Sequence, residues 1–218
     1  SHILDTCLFM DGRYMDLLDL MNFVKNGRKV PVLTPENVGQ YYALANAVTL
    51  NGIYLYQYLE RHGYGAEIVQ NYATCDLSQM FTGEILAVCI SSNFIFMNHI
   101  REMAQEIKTF APDIPVVAGG MLVKKVLHSG EQFSKGTLNY LSRFHPHLDA
   151  FVVEAKGEQT LIRLLRSLEN GGSLEKVANL AYFDAQGRLR FTPRLAEEIP
   201  MDDTAIRWDR VPRPYLRH

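Results

Sequence analysis

The stretch that most constrains the fold is residues 112–120, with the sequence PDIPVVAGG. Its prolines predict a tight turn, the apolar residues 116–118 predict a buried strand, and Gly119-Gly120 end that strand. A glycine pair there leaves backbone N–H groups uncovered and lets a large ligand come close. Because ligands of open parallel sheets bind at the carboxyl ends of the strands, this stretch indicates both a parallel sheet and its binding side.

Strand and helix patterns alternate along most of the chain. Apolar runs predict strands at residues 29–33, 66–69, 85–90, 116–118 and 149–153. Apolar residues at helical spacing predict helices at residues 53–62, 77–80, 97–110 and 158–170, with weaker helical signals at 133–144. The alternation predicts an α/β fold, a doubly wound parallel sheet with flanking helices.

Both ends of the chain depart from this alternation. Residues 1–28 predict a helical extension, with apolar positions on one helical face and a stop at Gly27. Residues 178–192 predict a β-hairpin around a turn at 184–187, and the Pro-, Arg- and Asp-rich remainder predicts a linker. The expected organisation is an extension at 1–28, an α/β domain at 29–172, and a hairpin and linker at 173–218.

Composition excludes several classes of protein. The 218 residues carry a formal net charge of −2, so no basic surface for nucleic acid is expected. Cys7, Cys75 and Cys89 match no disulfide framework, zinc site or iron–sulfur motif, which favours a reducing cytoplasm. No apolar run is long enough to span a bilayer, and no signal peptide is recognisable. The absent initiator Met and the abrupt end at His218 suggest a truncated chain.

Common catalytic and nucleotide-binding motifs are missing from the sequence. It contains neither a G-x-G-x-x-G after the first strand, nor a P-loop, nor a G-x-S-x-G nucleophile motif. His145 and His147 flank a proline in a predicted loop, where solvated histidines are more common than metal ligands. The sequence therefore predicts no catalytic residue and no metal-ligating residue.

Four polar or glycine-rich segments follow predicted strands. They are the loop at 34–40, Ser91-Ser92-Asn93, Gly119-Gly120, and residues 156–160. Each has a simpler interpretation: serines cap helices, glycine pairs form turns, and an acid favours the positive end of a helix dipole. All four would nevertheless lie at one end of the sheet, where the parallel strands terminate. A wide, polar, glycine-lined edge favours a large flat cofactor with a nucleotide tail.

The order of these segments resembles a known family, the cobalamin-dependent radical S-adenosylmethionine (SAM) enzymes, in their N-terminal cobalamin-binding domain. The likeness covers residues 29–200 and rests on the helix at 53–59 ending in Gly63, Ile90-Ser91-Ser92, residues 106–120, Phe151-Val152-Val153 with Gly157-Glu158-Gln159-Thr160, and Leu180-Ala181-Tyr182 with the Gly187 hairpin. The order and spacing of these motifs are more specific than any one of them.

This resemblance implies a flavodoxin-like domain that holds cobalamin on its carboxyl edge, with the nucleotide tail inserted into the domain. It places Ser91, Ser92 and Asn93 along the tail, and Gly119 and Gly120 where the tail passes. The opposite wall would comprise three further cofactor-binding residues, Gly157, Glu158 and Thr160.

Two departures from the family pattern concern the cobalt and its surroundings. The family's Gly-Glu-Gly-Glu is here Ala155-Lys156-Gly157-Glu158, so a lysine replaces an acid. No D-x-H-x-x-G follows the first strand, which implies base-off binding without a histidine below the cobalt. Asn37 and Gln40 are the candidates for that lower position.

The family's radical chemistry belongs to a C-terminal domain that this sequence lacks. That domain binds a 4Fe-4S cluster through C-x-x-x-C-x-x-C and positions SAM, and the three cysteines here do not form that motif. The resemblance thus implies a fragment that positions methylcobalamin for methyl transfer to a substrate radical, with the radical SAM domain as its partner. Some members of the family use cobalamin for ring formation or rearrangement instead, and the sequence does not separate these reactions. The alternatives are a flavodoxin-like scaffold or homodimerisation domain that has lost the cofactor, and a flavin-binding domain.

Overall fold

The computed structural model describes residues 8–10, 13–15, 17–27, 40–41, 50–69, 72, 75–92, 97–127, 133–154, 156–200 and 204–216. The chain divides into two compact units. The first comprises Ser1–Ile53, Glu67–Cys75 and Trp208–His218. The second comprises Tyr54–Ala66 and Asp76–Arg207, and it contains most of the predicted α/β domain.

The first unit contains a β-hairpin followed by a helix. Strands β1 (Leu8–Met10) and β2 (Arg13–Met15) pair antiparallel, and α1 (Leu17–Asn26) follows them. The predicted helix and its stop are confirmed, since Gly27 has a φ of +64° and its N–H donates to the Phe23 carbonyl at 2.8 Å. The hairpin was not predicted, although an Asp-Gly dipeptide between two apolar runs is a strong hairpin signal.

The second unit is built on a five-stranded sheet with strands in chain order. Its strands are β3 (Val88–Ser91), β4 (Val116–Gly119), β5 (Ala150–Val152), β6 (Leu180–Phe183) and β7 (Leu189–Phe191). The first three are parallel to one another, whereas β6 is antiparallel to β5 and β7 is antiparallel to β6. The predicted α/β class and the predicted hairpin are both confirmed, and the hairpin extends the sheet beyond β5.

The described helices after α1 are α2 (Leu50–Arg61), α3 (Leu77–Met80), α4 (Met97–Phe110), α5 (Met121–Leu127), α6 (Lys135–Leu141) and α7 (Glu158–Glu169). Helix α4 shows why the periodicity predicted them: Ile100, Ala104 and Ile107 recur on one face and are fully or nearly fully buried. The core of the second unit includes Phe144 and Phe151, whose rings meet edge to face at 5.5 Å.

The turn that leads into β4 is fastened by a lysine. Lys108, in the last turn of α4, donates to the carbonyls of Pro112 and Ile114 at 3.1 and 2.9 Å. Its Nζ also lies 2.9 Å from Asp149 Oδ2, which accepts the Val116 N–H at 2.8 Å. These bonds hold the amino ends of β4 and β5 together, and so align the opposite ends of the two strands.

Three predicted strands need comment. Residues 66–69 are not a strand: all four are exposed or half-buried, so neither face of this stretch is packed in a core. The strand predicted at 85–90 is shorter, and Cys89 in it is exposed, because among the described strands β3 has a neighbour on one side only. The strand predicted at 29–33 lies outside the described residues.

Candidate cofactor-binding site

Three of the four predicted segments meet at one edge of the sheet. In the parallel register Ser91 pairs with Gly119, and Ala118 pairs with Phe151. The residues after β3, β4 and β5 therefore emerge side by side, and we call this carboxyl-end edge the rim. Helices α5 and α7 begin there, directly after β4 and shortly after β5.

Ser92 ties the end of β3 to the neighbouring strand and helix. It is 1% exposed, and its N–H donates to the Gly119 carbonyl at 2.7 Å. Its Oγ accepts the N–H of Val123, in the first turn of α5, at 3.2 Å. Ser92 is thus a buried cap of α5, which braces the rim between β3 and β4. Ser91 is half-buried at the end of β3.

The glycines of the rim meet different requirements. Gly120 has a φ of +107°, a conformation that side chains rarely adopt, and this bend turns the chain from β4 into α5. Gly119 and Gly157 instead make room for Val152: a Cβ on Gly119 would lie 3.3 Å from Val152 Cβ, and one on Gly157 would lie 2.4 Å from Val152 Cγ1. The space that these two glycines leave is therefore filled by the protein itself.

Glu158 lines a cavity at the start of α7. The cavity has a volume of about 230 Å³ and is lined by Tyr54, Lys156, Glu158, Ile199 and Thr204. Glu158 Oε2 is buried and has no hydrogen-bond partner among the described residues. Burial raises the pKa of this carboxyl, and the nearby Glu197 charge adds to the effect, whereas a backbone hydrogen bond and Lys156 oppose it.

Thr160 does not face open space at the rim. It is fully buried, its hydroxyl donates to Glu197 Oε1, and its N–H donates to the same oxygen at 2.7 Å. Asn179 Nδ2 donates to Thr160 Oγ1 at 3.1 Å. All polar atoms of Thr160 that could reach a ligand are therefore engaged within the protein, and Thr160 can affect a ligand only through its neighbours.

Charged residues border the rim on the α5 side. Lys124 Nζ lies 3.4 Å from Glu154 Oε1, and both side chains are part-buried. Lys156, which stands where the resembling family has an acid, is exposed beside Glu158. Each of these two lysines lies near an acid, so the described side chains that border the rim carry charges of both signs.

The structure does not test the remaining predicted positions. Asn37 and Asn93 lie outside the described residues, as does most of the loop at 34–40. Gln40 is exposed and belongs to the first unit. The described residues contain no cluster of His, Cys, Asp or Glu suited to a metal ion. None of the described helices is long and apolar enough to cross a membrane.

Two residues of the site, Glu197 and Asn179, were missed by sequence reasoning. Glu197 lies in the segment predicted as a linker, and its partner Thr160 is 37 positions away, so no local pattern points to it. Asn179 did carry a signal: it stands near the start of the hairpin predicted at 178–192, and asparagine is among the non-glycine residues that most readily adopt its observed φ of +63°.

Comparison with known proteins gives a match to solved structures alone. No protein-family model and no curated protein matches the sequence. The radical SAM methyltransferase TsrM from Kitasatospora setae, with tryptophan substrate and a SAM analog bound, matches with a TM-score of 0.52 and 19% identity. A second TsrM structure, with cobalamin and a 4Fe-4S cluster bound, gives 0.50 and 17%. This chain has the fold of a part of TsrM.

The match covers 72% of this chain but 28% of the TsrM chain; for the second structure the shares are 70% and 27%. The cobalamin-dependent SAM radical enzyme OxsB, with aqua-cobalamin and SAM bound, matches with a TM-score of 0.48 and 16% identity, over 72% of this chain and 20% of that chain. This chain therefore spans little more than a quarter of the length of TsrM. At these identities the likeness concerns the fold.

Proposed function

We propose that the second unit binds cobalamin on its rim and belongs to a larger radical SAM enzyme, in which it positions methylcobalamin for transfer to a substrate radical. One observation carries the proposal. The ends of three adjacent parallel strands form a polar, glycine-containing edge on a fold shared with part of TsrM. In open α/β sheets this is the edge where large cofactors bind.

The described residues offer suitable groups for this cofactor. Ser91 and Gly120 border the rim between β3 and β4, while Gly157 and Glu158 border the far side of β5. The buried and unpaired Oε2 of Glu158 can accept a hydrogen bond from one of the amide groups around a corrin ring. When bound, cobalamin supplies a cobalt centre that carries and releases a methyl group.

The protein's contribution is to hold the rim rigid. Ser92 fixes β3 against α5, and the bend at Gly120 fixes where α5 begins. Val152 packs into the spaces left by Gly119 and Gly157, which sets the distance between the two sides of the rim. A preorganised edge of this kind orients a large ligand at low entropic cost.

The radical step requires a second domain. In this proposal a C-terminal radical SAM domain of the same protein supplies the 4Fe-4S cluster and SAM. Cys75 and Cys89 lie far apart in sequence and do not form a cluster motif. That this chain spans 28% of TsrM supports a role as one domain among several.

A scaffold that has lost the cofactor is the second candidate function. It is favoured by Val152, which fills the room that a glycine-lined edge would otherwise offer to a ligand. A homodimerisation role would accompany this function. The same packing means that valine substitutions at Gly119 or Gly157 would disturb the sheet under either function, and so would not distinguish the two.

A substitution on the exposed part of the rim distinguishes them. The purified chain is mixed with hydroxocobalamin, desalted, and examined by visible spectroscopy. Met121, 59% exposed at the start of α5, is replaced by Trp to crowd the rim; Phe110, 50% exposed at the opposite edge, is replaced by Trp as a control.

We expect the wild-type chain and Phe110→Trp to retain a corrin spectrum, and Met121→Trp to bind at least about tenfold more weakly, a difference of about 1.4 kcal/mol. A colourless wild-type chain that sediments as a dimer would support the scaffold function instead. Equal binding by both variants would place the cofactor away from this edge.

A further inference from the structure

Glu197 is a buried carboxylate in a segment that the sequence predicts to be a linker. Its side chain is fully shielded from solvent, although residues 193–200 contain no helix or strand. Burial of an ionised carboxylate is unfavourable unless donors surround it. The surroundings of Glu197 therefore need an explanation beyond a simple connection between domains.

The carboxylate caps the start of α7. Its Oε2 accepts the N–H of Gln159 at 2.9 Å, and its Oε1 accepts the N–H of Thr160 at 2.7 Å together with the Thr160 hydroxyl. Arg163 Nη1 lies 3.7 Å from the same Oε1. The Glu197 carboxylate thereby pairs two of the four backbone amides that have no partner within a helix at its start. These amides and the nearby guanidinium in turn complement the negative charge of Glu197.

A cap from elsewhere in the chain is needed because of Val152. The N-cap position of α7 is Gly157, which has no side chain to accept a hydrogen bond. A larger residue there would collide with Val152, since its Cβ would lie 2.4 Å from Val152 Cγ1. The helix thus cannot be capped locally in the usual way, and Glu197 takes that role from a distance.

The segment around Glu197 is held on both sides. Arg194 donates to the carbonyls of Val153 and Leu127 at 2.7 and 3.4 Å. The side-chain amide of Gln159 donates to the Glu198 carbonyl at 2.8 Å. We call residues 193–200 the strap, because it is bonded across the chain that follows β5 and the first turn of α7.

We infer that Glu197 is a positioning residue for the wall of the cofactor site formed by Gly157 and Glu158, and that the strap links this wall to the chain that follows it. The inference rests on the proposed function, because it concerns how that site is kept in place. Movement of the strap would release the Gln159 and Thr160 amides, and with them the loop that carries the wall.

The first experiment needs no cofactor. Hydrogen exchange of the Gln159 and Thr160 amides is measured in the wild-type chain, in Glu197→Ala and in Glu197→Gln. The matched control is Glu198→Ala, which removes the adjacent and exposed acid. We expect exchange to be at least about tenfold faster in Glu197→Ala and unchanged in Glu198→Ala. Unchanged exchange in Glu197→Ala would overturn the inference.

The second experiment measures the affinity of the same chains for hydroxocobalamin. We expect Glu197→Ala to bind at least about tenfold more weakly, and Glu197→Gln, which keeps one acceptor oxygen, to recover part of the loss. Wild-type affinity in a folded Glu197→Ala chain would show that the wall does not depend on Glu197. A wild-type chain that binds no cobalamin would refute the proposed function, and exchange alone would then decide whether Glu197 holds the helix start.

A milder variant covers the case in which Glu197→Ala does not fold. Thr160→Val removes one hydroxyl donor to Glu197 and keeps the backbone amide bond. We expect it to accelerate exchange and weaken cobalamin binding in the same direction as Glu197→Ala, but by less. No change in either measurement would overturn the inference in that case.

Discussion

Val152 limits the size of the side chain that fits at two positions of the rim. It is nearly fully buried at the end of β5, and a Cβ on Gly157 would lie 2.4 Å from one of its methyl groups, whereas a Cβ on Gly119 would lie 3.3 Å from its Cβ. Packing therefore requires glycine at 157 and leaves little room at 119. At Gly120 the requirement is different, because there the backbone itself adopts a positive φ.

Gly157→Ala should destabilise the protein. The new Cβ would lie 2.4 Å from Val152 Cγ1, so the strand or the helix must shift, and such overpacking costs about 1–3 kcal/mol. Gly83→Ala is the control, since nothing lies within 4 Å of its new Cβ. Urea unfolding of both variants measures the effect. Adding Val152→Ala to Gly157→Ala should recover part of the loss, and strict additivity of the two changes would contradict a direct clash.

Glu158→Gln should change how stability depends on pH. Burial raises the pKa of Glu158 in the folded protein, so the folded state holds this proton more tightly than the unfolded state does. The wild-type chain consequently loses stability as pH rises from about 4.3, the ordinary value for Glu, through the raised value. Glutamine does not titrate, so the free energy of unfolding of the variant relative to that of the wild-type chain should rise over this pH window and then level off.

Urea unfolding between pH 4 and 8 measures this difference. Glu84→Gln, a change at an exposed site, should follow the wild-type chain across the range. A Glu158→Gln chain that runs parallel to wild type at every pH would show that Glu158 is solvated, contrary to its buried Oε2.

At the scale of elements, Asn179 joins the hairpin, the strap and α7. Its backbone has a φ of +63° just before β6, and its N–H donates to the Pro193 carbonyl at 2.9 Å. Its side chain both donates to the Leu195 carbonyl and accepts the Leu195 N–H, each at 2.7 Å. The same side chain reaches Thr160, so three elements meet at one buried amide.

Substitutions at Asn179 should separate backbone strain from lost hydrogen bonds. Asn179→Gly keeps the backbone conformation but removes the side-chain hydrogen bonds to the part-buried Leu195 backbone and to buried Thr160, each worth about 0.5–1.5 kcal/mol. Asn179→Ala adds the strain of a left-handed alanine, about 1–2 kcal/mol more. Chemical denaturation of the two variants gives both contributions. Equal stabilities would mean that the positive φ relaxes in the alanine variant.

Local patterns predicted the elements that carry a strong apolar signal. The periodicity of α4 and α7 and the apolar runs of β4 and β5 were sufficient, because these elements must pack on a common core. Helix α5 was not predicted, since its seven residues include two lysines and it is stabilised by the Ser92 cap from another strand. The strand predicted at 66–69 was wrong for the converse reason: its four residues are exposed or half-buried, so no common core holds them.

The candidate site was predictable as far as the strand ends. That Ser91, Gly119 and the loop after β5 share an edge follows from the topology of a parallel sheet. The role of Thr160 could not be foreseen, because it depends on Glu197, which folds back from 37 positions away. The packing function of Gly157 likewise depends on Val152, whose orientation is set by the sheet register.

At the scale of the whole second unit, the chain beyond the strap is anchored to α2. Gln57 is 5% exposed; its Nε2 donates to the Arg207 carbonyl at 2.7 Å and its Oε1 accepts the Arg207 N–H at 2.8 Å. Arg61 adds a longer bond of 3.5 Å to the Ala205 carbonyl. The segment predicted as a linker is thus fixed at several points within this unit.

Gln57→Ala should expose Arg207 to proteolysis. The variant loses both hydrogen bonds between the Gln57 side chain and the Arg207 backbone, which frees the chain around the scissile bond. Tryptic cleavage after Arg207 should therefore accelerate several-fold. Gln57→Glu can accept but not donate, so an intermediate rate is expected. Mass spectrometry follows the products over time, with cleavage after Arg210 as the internal reference. Identical rates after Arg207 in all three chains would show that this anchor does not restrain the segment.

The two added strands also decide on which side of the sheet the chain continues. Because β6 runs against β5 and β7 runs against β6, β7 ends at the same end of the sheet as β5, which is the rim. An odd number of extra strands would have delivered the chain to the opposite end. Because the number of added strands is even, the chain leaves β7 at the same end of the sheet as the rim, and the strap reaches the first turn of α7 without crossing the sheet.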